Sequence, residues 1–287
     1  MAPLSRNDLI ASYFTLDGAP VGMPARHDFT ARVAAAANAG FAGVGLMADD
    51  YVMLRDTGSS GSELRRVADD HGVQVAEIEF AFGWAYDDER GVQGAALLDT
   101  LFEMADVFEP RHVNVGDVLM ASDLPPIEVV AERFGALCDR AGEHGLLVAL
   151  EFLPWSGIPD VRTAWEVARL ADRANGGVLV DAYHYYRGNP DEGALRAVPA
   201  DRVNCIQLDD ADAEMVGDYM EDTCVRRRLP GQGALDVVGL MRVLDDMGVD
   251  APVSVEVMST EMQALPVEDA AHLAHDTTRA VLDAART

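Results

Sequence analysis

The sequence predicts an α/β fold, a single (β/α)8 barrel that occupies residues 1–287. Short apolar runs alternate with longer amphipathic stretches, and this alternation is repeated eight times along the chain. Each amphipathic stretch can form the helical crossover that two neighbouring parallel strands require. The runs are almost continuously apolar, which is typical of strands covered on both faces. Eight such units with no linker between them favour one closed barrel.

The elements follow one another in the order that a barrel requires. The apolar runs that predict strands are 9–14, 41–47, 73–80, 112–115, 146–152, 177–182, 202–208 and 253–257. The amphipathic stretches that predict helices are 27–38, 62–70, 91–108, 127–143, 161–173, 192–198, 235–247 and 267–285. An open doubly wound sheet is the alternative, but the segment 13–18, after the first run, lacks the GxGxxG pattern of that fold. We expect the longest loops, 15–26 and 209–233, to cover the active site.

Composition excludes some classes of partner. The formal net charge is −27, with 49 acidic against 22 basic residues, and such a surface repels nucleic acid and anionic lipid. No apolar run is long enough to cross a membrane, and the N-terminus lacks the apolar core of a signal peptide. The three cysteines, Cys138, Cys205 and Cys224, show no CxxC spacing, which favours free thiols. We therefore expect a cytoplasmic protein.

Four consecutive strands are predicted to end in an oxygen-bearing side chain. In each of the last four runs an oxygen-bearing residue directly follows the apolar residues, at an equivalent position: Glu151, Asp181, Gln207 and Glu256. Barrel active sites use residues at these carboxyl ends, so we expect the four side chains to converge at the mouth. A lone carboxylate after a strand is most often a helix cap, but the same register holds in all four strands.

Converging carboxylates indicate a bound cation. Ionised carboxylates in a dry pocket are costly to bury without an opposite charge. Three carboxylates and an amide oxygen are hard ligands that favour one divalent metal ion, Mn²⁺ or Mg²⁺, and they also accept Zn²⁺ or Co²⁺. The sequence therefore predicts a metal site formed by the four strand-end residues.

Further residues are candidates for substrate contact, and each has a plainer interpretation. His184 follows Asp181 by three residues, although a single histidine is more often structural. The segment 226–228 holds three arginines, which are either a solvated run or a clamp for a substrate anion or hydroxyl. Trp155 is either a pocket wall or ordinary packing. Glu79 and His112, which we place at the ends of the third and fourth runs, are weaker candidates for the same mouth.

At these residues the chain resembles the xylose isomerase-like TIM barrel superfamily, in its sugar phosphate isomerase/epimerase branch. The matching segments are 150–154 (LEFLP), 180–184 (VDAYH), 206–210 (IQLDD), 228–233 (RLPGQG) and 255–257 (VEV). The resemblance implies that Glu151, Asp181, Gln207 and Glu256 bind one metal ion and that the two glutamates exchange the substrate proton. It further implies that His184 and Arg228 contact the substrate.

The residue in the seventh strand separates branches of the superfamily. Many epimerases have histidine where this chain has Gln207, and the resemblance implies that glutamine occurs there in dehydroshikimate dehydratase-like members. The apurinic endonucleases of the same superfamily need additional histidines for a multi-metal cluster. This chain has none at the corresponding positions, and its acidity argues against a nuclease.

The sequence leaves several functions open. The first is a metal-dependent isomerase or epimerase of a sugar or polyol-derived ketone, acting through an enediolate with Glu151, Glu256 and His184 as the catalytic residues. The second is a metal-dependent dehydratase, a lyase of a cyclic polyhydroxy ketone such as dehydroshikimate or an inosose. The others are a non-catalytic barrel that binds sugar or metal, and a structural barrel whose acids cap helices. The expected partner is a small polyhydroxylated carbonyl compound, and a homo-oligomer is compatible with the sequence.

Overall fold

The computed structural model describes residues 3–118 and 124–287, and it confirms the predicted (β/α)8 TIM barrel. Each strand pairs in parallel with the next, and β1 pairs with β8 to close the barrel. The strands are β1 (Leu9–Ala11), β2 (Gly43–Met47), β3 (Gln74–Ala81), β4 (His112–Gly116), β5 (Leu147–Glu151), β6 (Gly176–Asp181), β7 (Val203–Leu208) and β8 (Val253–Val255).

Helices surround the barrel and also lie in the loops at its mouth. In chain order they are α1 (Tyr13–Leu16), α2 (Phe29–Ala39), α3 (Ala48–Asp56), α4 (Gly61–His71), α5 (Glu89–Phe108), α6 (Ile127–Glu143), α7 (Val161–Ala171), α8 (Ala182–Arg187), α9 (Glu192–Arg196), α10 (Tyr219–Val225), α11 (Val237–Met247), α12 (Thr260–Gln263) and α13 (Val267–Ala285), with a short 3₁₀ helix at Ala200–Arg202. Among the described helices, none combines the length and apolar character that a membrane span needs.

Helix boundaries follow from local signals in the sequence. Ser60 begins α4 with a capping box, in which its hydroxyl accepts from the Glu63 backbone N–H and the Glu63 carboxylate accepts from the Ser60 backbone N–H. Asp160 caps α7 through the backbone N–H of Thr163. Gly72 ends α4 in the left-handed conformation, which glycine adopts without steric cost.

Several elements differ from the sequence prediction, among them the short helices α8 and α12, which were not predicted. The first run ends as a strand at Ala11, because the chain turns there into the short α1 that lies over the barrel. The helix α3 was not predicted, since its charged residues interrupt the apolar periodicity. The long polar loop after β7 contains α10, whose first turn carries Glu221 and Asp222. All of these differences follow a strand, so they lie at the carboxyl ends of the strands, at the mouth of the barrel.

The interior of the barrel contains buried polar side chains as well as apolar ones. A small apolar cluster of Ala149, Leu179 and Cys205 is separate from the main core, which lies between the strands and the helices. Glu77 and Glu79 on β3 are both buried inside. They fit because β2 has Gly45 opposite them: a Cβ at Gly45 would lie 2.8 Å from Glu79 Oε1 and 2.9 Å from Glu77 Oε1.

Candidate metal centre and acid–base site

The four predicted strand-end side chains lie at the mouth, and we call them the mouth cluster: Glu151, Asp181, Gln207 and Glu256. Asp181 and Gln207 are register partners on neighbouring strands. Gln207 Nε2 donates a hydrogen bond of 2.9 Å to Glu256 Oε1. Ligand atoms of Glu151, Asp181 and His184 all lie within 4.8 Å of one another. The sequence register was therefore sufficient to find side chains that the fold brings together.

Asp181 connects the strand to the histidine that follows it. Its Oδ1 accepts a 2.8 Å hydrogen bond from the backbone N–H of His184 and so caps α8. This cap directs the imidazole back over the mouth, where His184 Nε2 lies 3.3 Å from Glu151 Oε1. The spacing of three residues thus has a structural cause as well as a chemical consequence.

The mouth cluster fits a divalent cation. Gln207 turns its amide nitrogen to Glu256, and its Oε1 is buried without a hydrogen-bond partner in the described structure. An unpaired buried oxygen is costly unless a ligand satisfies it. Burial raises the pKa of Glu151 well above its ordinary value and that of Glu256 to about 8. A metal ion with hard oxygen ligands would stabilise the ionised form of both buried carboxyls.

Arg227 is a buried cation of the mouth that the sequence did not single out from its neighbours. Its Nη1 donates to Asp181 Oδ2 at 2.8 Å, to Asp209 Oδ2 at 2.5 Å and to Glu256 Oε2 at 3.1 Å. Its Nη2 donates to Thr223 Oγ1 at 2.9 Å and to His184 Nε2 at 3.2 Å. The side chain is 1% exposed, so these contacts are shielded from solvent.

The structure places Arg228, the predicted substrate contact, outside this site. Its guanidinium pairs with Asp212 and Glu261 at 3.1 Å, and it does not line the mouth cavity. The segment is extended, with antiparallel bridges on either side of Arg227, at Arg226 and at Arg228. Successive side chains of an extended chain point to opposite sides, so Arg227 points inward. Alternation separates Arg227 from Arg226 and Arg228, and the fold decides which of the two sides faces the mouth.

His184 is a neutral imidazole with one free ring nitrogen. Burial lowers its pKa to about 4. A guanidinium only donates, so Nε2 accepts from Arg227 and the proton of the neutral ring belongs on Nδ1. Nδ1 is buried and has no hydrogen-bond partner in the described structure. It can therefore offer an N–H to a substrate oxygen.

A cavity of about 260 Å³ opens above these groups. The acidic and basic residues that line this cavity are Glu79, Glu151, His184, Arg227 and Glu256. Its walls are mostly apolar, and they comprise Phe14, Val21, Met47, Phe80, Phe82, Val118, Leu153, Trp155, Met220, Cys224 and Met258, with Thr223.

Trp155 and Glu79, two of the predicted substrate contacts, line this cavity. The edge of the Trp155 ring meets His184, with the ring centroids 5.2 Å apart. Glu79 accepts from Asn114 Nδ2 at 3.3 Å and from the Tyr13 backbone N–H at 3.4 Å. Burial and the charge of Glu77 raise the pKa of Glu79 well above its ordinary value.

The expected register of His112 is wrong. His112 is the first residue of β4 rather than the last, so it lies at the opposite end of the strand from the mouth. There it belongs to what we call the floor cluster: Glu77, His112, Cys205 and Ser254. Glu77 accepts from Ser254 Oγ at 2.6 Å, and its other oxygen lies 3.3 Å from His112 Nε2 and 3.9 Å from Cys205 Sγ.

Sequence reasoning missed the floor cluster and two further mouth residues. Cys205 and Ser254 each precede a mouth residue by two positions, so alternation along β7 and β8 would have predicted that they face the barrel interior. Ser12, directly after β1, donates to Glu256 Oε1 at 3.0 Å. Asp209 holds Arg227 and accepts from the Tyr183 backbone N–H at 2.9 Å.

Comparison with known proteins identifies relatives of this chain. A 3-dehydroshikimate dehydratase of Pseudomonas putida is 25% identical over 242 residues, which cover 82% of this chain and 37% of the dehydratase. An inosose isomerase of Bacillus subtilis is 28% identical over 144 residues, which cover 50% of this chain and 51% of the isomerase. The chain thus matches about a third to a half of the length of these enzymes.

A solved structure of IOLI protein with a bound zinc atom has a TM-score of 0.84 and 20% identity, covering 96% of this chain and 98% of that one. At this identity the likeness shows the fold. The model of the xylose isomerase-like TIM barrel matches residues 33–280, which is most of the chain. With the closed barrel and the mouth cluster in place, this match shows that the chain belongs to the xylose isomerase-like TIM barrel family.

Proposed function

We propose that this chain is a divalent-metal-dependent dehydratase of a small, unphosphorylated hydroxy ketone. In this reaction a proton leaves the carbon beside the carbonyl, the β-hydroxyl leaves as water, and an enone forms. The observation that carries the proposal is the Glu151–His184 pair beside a cavity, in which the carboxylate lies 3.3 Å from Nε2 of an imidazole that carries its proton on Nδ1. A cation held by the mouth cluster would act as a Lewis acid on the carbonyl oxygen.

Glu151 is the better placed base of the two mouth glutamates. Burial raises its pKa, which strengthens it as a proton acceptor when it is ionised. Among the described contacts of its carboxylate, the closest is His184 Nε2 at 3.3 Å. Glu256 instead accepts from Ser12, Gln207 and Arg227, which hold both of its oxygens. Because Glu256 is held at both oxygens, the structure favours Glu151 as the base with His184 as the acid over two equivalent glutamate bases.

His184 can protonate the leaving hydroxyl and take up a proton from Glu151 without a net change in its charge. Its Nδ1–H would donate to the hydroxyl as the C–O bond breaks, while Nε2 would release the hydrogen bond from Arg227 and take the proton that Glu151 removed from carbon. The imidazole then exchanges one tautomer for the other, and the products are the enone and water. A ring with a pKa of about 4 is neutral at physiological pH, as this exchange requires.

The cavity supports a substrate without a phosphate group. Among the described residues that line it, Arg227 is the cation, and it already contacts Asp181, Asp209 and Glu256. A phosphate would need one or more cationic partners, which the described walls do not offer. The aromatic and methionine side chains of the walls instead suit the apolar face of a ring.

An isomerase is the second candidate, and the inosose isomerases among the relatives favour it. Glu151 and Glu256 line the same cavity, so a proton removed by one could be returned by the other. The dehydratases match 82% of this chain, however, while the isomerases match about half, and Glu256 is the more constrained glutamate. We therefore place dehydration first.

One assay separates the candidates. Purified protein is incubated with dehydroshikimate, inososes and ketoses, with Mn²⁺, Mg²⁺, Co²⁺ or Zn²⁺, while ultraviolet absorbance and proton NMR in D₂O are recorded. We expect new ultraviolet absorbance from an enone or catechol, and its loss in Glu151→Gln. The control variant Glu261→Gln, at an exposed glutamate, should retain activity.

Each other outcome supports a different function. Deuterium exchange with a rearranged ketone and no new absorbance would support the isomerase and contradict dehydration. Substrate binding without exchange would support a non-catalytic barrel. Full activity after complete metal removal would contradict both enzymatic proposals.

A further inference from the structure

We propose that Arg227 is a built-in competitor of the divalent cation, which neutralises Asp181 and Glu256 in the metal-free protein and thereby sets the affinity of the mouth for metal. The inference rests on the metal site of the proposed function. It concerns a residue that is not itself a predicted ligand, and it follows from the position of one guanidinium nitrogen among three carboxylates.

The contacts of this nitrogen exceed what it can satisfy. Nη1 carries two hydrogens, yet carboxylate oxygens of Asp181, Asp209 and Glu256 lie within 3.1 Å of it. At least one carboxylate therefore receives less than a full hydrogen bond. Glu256 is the most distant of the three, and it is also a predicted metal ligand. A second cation can thus take over a carboxylate that Arg227 holds only weakly.

The charges at the mouth leave room for that second cation. One guanidinium faces the carboxylates of Glu151, Asp181, Asp209 and Glu256, and all four are buried. Buried carboxylates in excess of the positive charge are unstable in the ionised form. Arg227 therefore neutralises the metal-free site in part, and a dication would complete the neutralisation at the cost of repulsion from Arg227.

Arg227 also has contacts that it can keep when the metal binds. Asp209 is not a predicted ligand, makes the shortest contact at 2.5 Å, and is fixed by the Tyr183 backbone N–H. Thr223 Oγ1 accepts from Nη2 at 2.9 Å, and the Tyr183 ring lies 4.9 Å from the guanidinium carbon. The guanidinium can thus release Asp181 and Glu256 while Asp209 and Thr223 hold it beside the metal.

The test measures Mn²⁺ affinity of the full chain by calorimetry, in Arg227→Gln and in the matched control Arg228→Gln. Arg228 is the adjacent arginine, but it points outward to Asp212 and Glu261. We expect R227Q to bind Mn²⁺ roughly tenfold more tightly or better, because a unit charge close to the dication is removed. R228Q should bind as the wild type does. Arg227→Lys, which keeps the charge, should stay close to the wild type.

The outcomes separate this inference from the proposed function. Equal or weaker Mn²⁺ binding by folded R227Q, or tightening in R227K as well, would overturn the competition. If wild type and all variants bind no divalent ion, the proposed metal-dependent function itself fails. If R227Q does not fold, crystal structures of the wild type with and without Mn²⁺ decide the question. The Nη1 contacts to Asp181 and Glu256 should lengthen with metal while that to Asp209 persists, and unchanged contacts would contradict the proposal.

Discussion

The mouth cluster and the floor cluster are two groups of potential metal ligands in the same barrel, and their chemistry differs. The mouth and the floor each bring three donor atoms within 4.8 Å of one another. The donors at the mouth belong to Glu151, Asp181 and His184, and those at the floor belong to Glu77, His112 and Cys205. Both groups are buried. Distances between donors therefore do not decide which of the two is the metal site.

Charge balance and access distinguish the clusters, since each holds a buried atom without a described hydrogen-bond partner, Gln207 Oε1 at the mouth and His112 Nε2 at the floor. At the floor one carboxylate, Glu77, receives a 2.6 Å hydrogen bond from Ser254, and the Arg111 guanidinium lies 3.5 Å from His112 Nδ1. Burial and the Glu77 charge raise the pKa of Cys205, so its thiol keeps its proton and is a poor ligand.

The mouth has the opposite properties. It has four carboxylates against one arginine, an unpaired Gln207 oxygen and a cavity. The comparison teaches that a cation is expected where negative charge is in excess and reachable, whereas the floor has one carboxylate and its residues do not line the mouth cavity.

The largest effect is expected from removal of a mouth carboxylate. Asp181→Asn or Glu256→Gln should lower affinity for the divalent ion by at least about a hundredfold, because even outer-shell changes cost 10–100-fold. Metal content by elemental analysis and calorimetry measures this effect. Asp212→Asn, at an exposed carboxylate paired with Arg228, is the control and should bind metal normally. Unchanged metal binding in both mouth variants would mean that the ion is held elsewhere.

A smaller effect is expected from overpacking at Gly45 of β2, which leaves room for the buried carboxylates of Glu77 and Glu79. In Gly45→Ala the new Cβ would lie 2.8 Å from the Tyr13 backbone nitrogen and from Glu79 Oε1. Overpacking of this kind costs about 1–3 kcal/mol of unfolding free energy, occasionally more. Urea denaturation measures it, with Gly142→Ala as the control, since Gly142 is an exposed helical residue with room for a Cβ. Equal stability of the two variants would show that the barrel interior is looser than described.

A substitution in the floor cluster should lower the free energy of unfolding but leave metal binding unchanged. Ser254→Ala removes the donor to the buried Glu77 carboxylate and should cost about 1.5–3 kcal/mol of unfolding free energy. Metal stoichiometry and affinity should stay at the wild-type values. Ser62→Ala, at an exposed serine of α4, serves as the control. A loss of bound metal in S254A would place an ion at the floor and contradict the comparison.

Asp17 lies in the loop after β1 and has a buried carboxylate. Its substitution tests how a missing hydrogen-bond partner affects stability. Burial raises its pKa from 3.8 to about 7, and its Oδ2 has no described hydrogen-bond partner. The folded-state pKa lies above the unfolded one, so stability is lost as pH rises from about 4 to about 7. Asp17→Asn should remove this loss and exceed the wild type by about 1–3 kcal/mol at pH 8. Parallel pH–stability curves of both proteins would contradict the assignment.

The smallest effect is a difference in thiol labelling rates. Cys224 lines the mouth cavity, whereas Cys205 is fully buried at the floor with a raised pKa. We expect iodoacetamide at pH 8 to label Cys224 first and Cys205 only after unfolding. Peptide mass spectrometry gives the two rates, and Cys224→Ser should remove the fast phase. Rapid labelling of Cys205 in the folded protein would show that the floor is open to solvent.

Much of the fold and of the mouth was predictable because the signals are local. Continuous apolar runs alternating with amphipathic stretches predicted eight strand–helix units, and the last helix was predicted with its observed bounds, Val267–Ala285. The polar residue that follows an apolar run lies at the carboxyl end of its strand, so Glu151 and Asp181 could be placed from sequence. His112 was placed wrongly, although the same rule applies to it: His112 begins the run 112–115, so it lies at the amino end of its strand.

The sequence by itself determined the barrel, its strand order and the four oxygen-bearing positions of the mouth cluster, because hydrophobic period and strand ends are properties of neighbouring residues. Only the tertiary structure decided that Arg227 rather than Arg228 enters the mouth. It also decided that Glu77, His112, Cys205 and Ser254 meet at the floor. These contacts join residues far apart in the chain, and they depend on barrel closure and on which side of an extended segment each side chain takes.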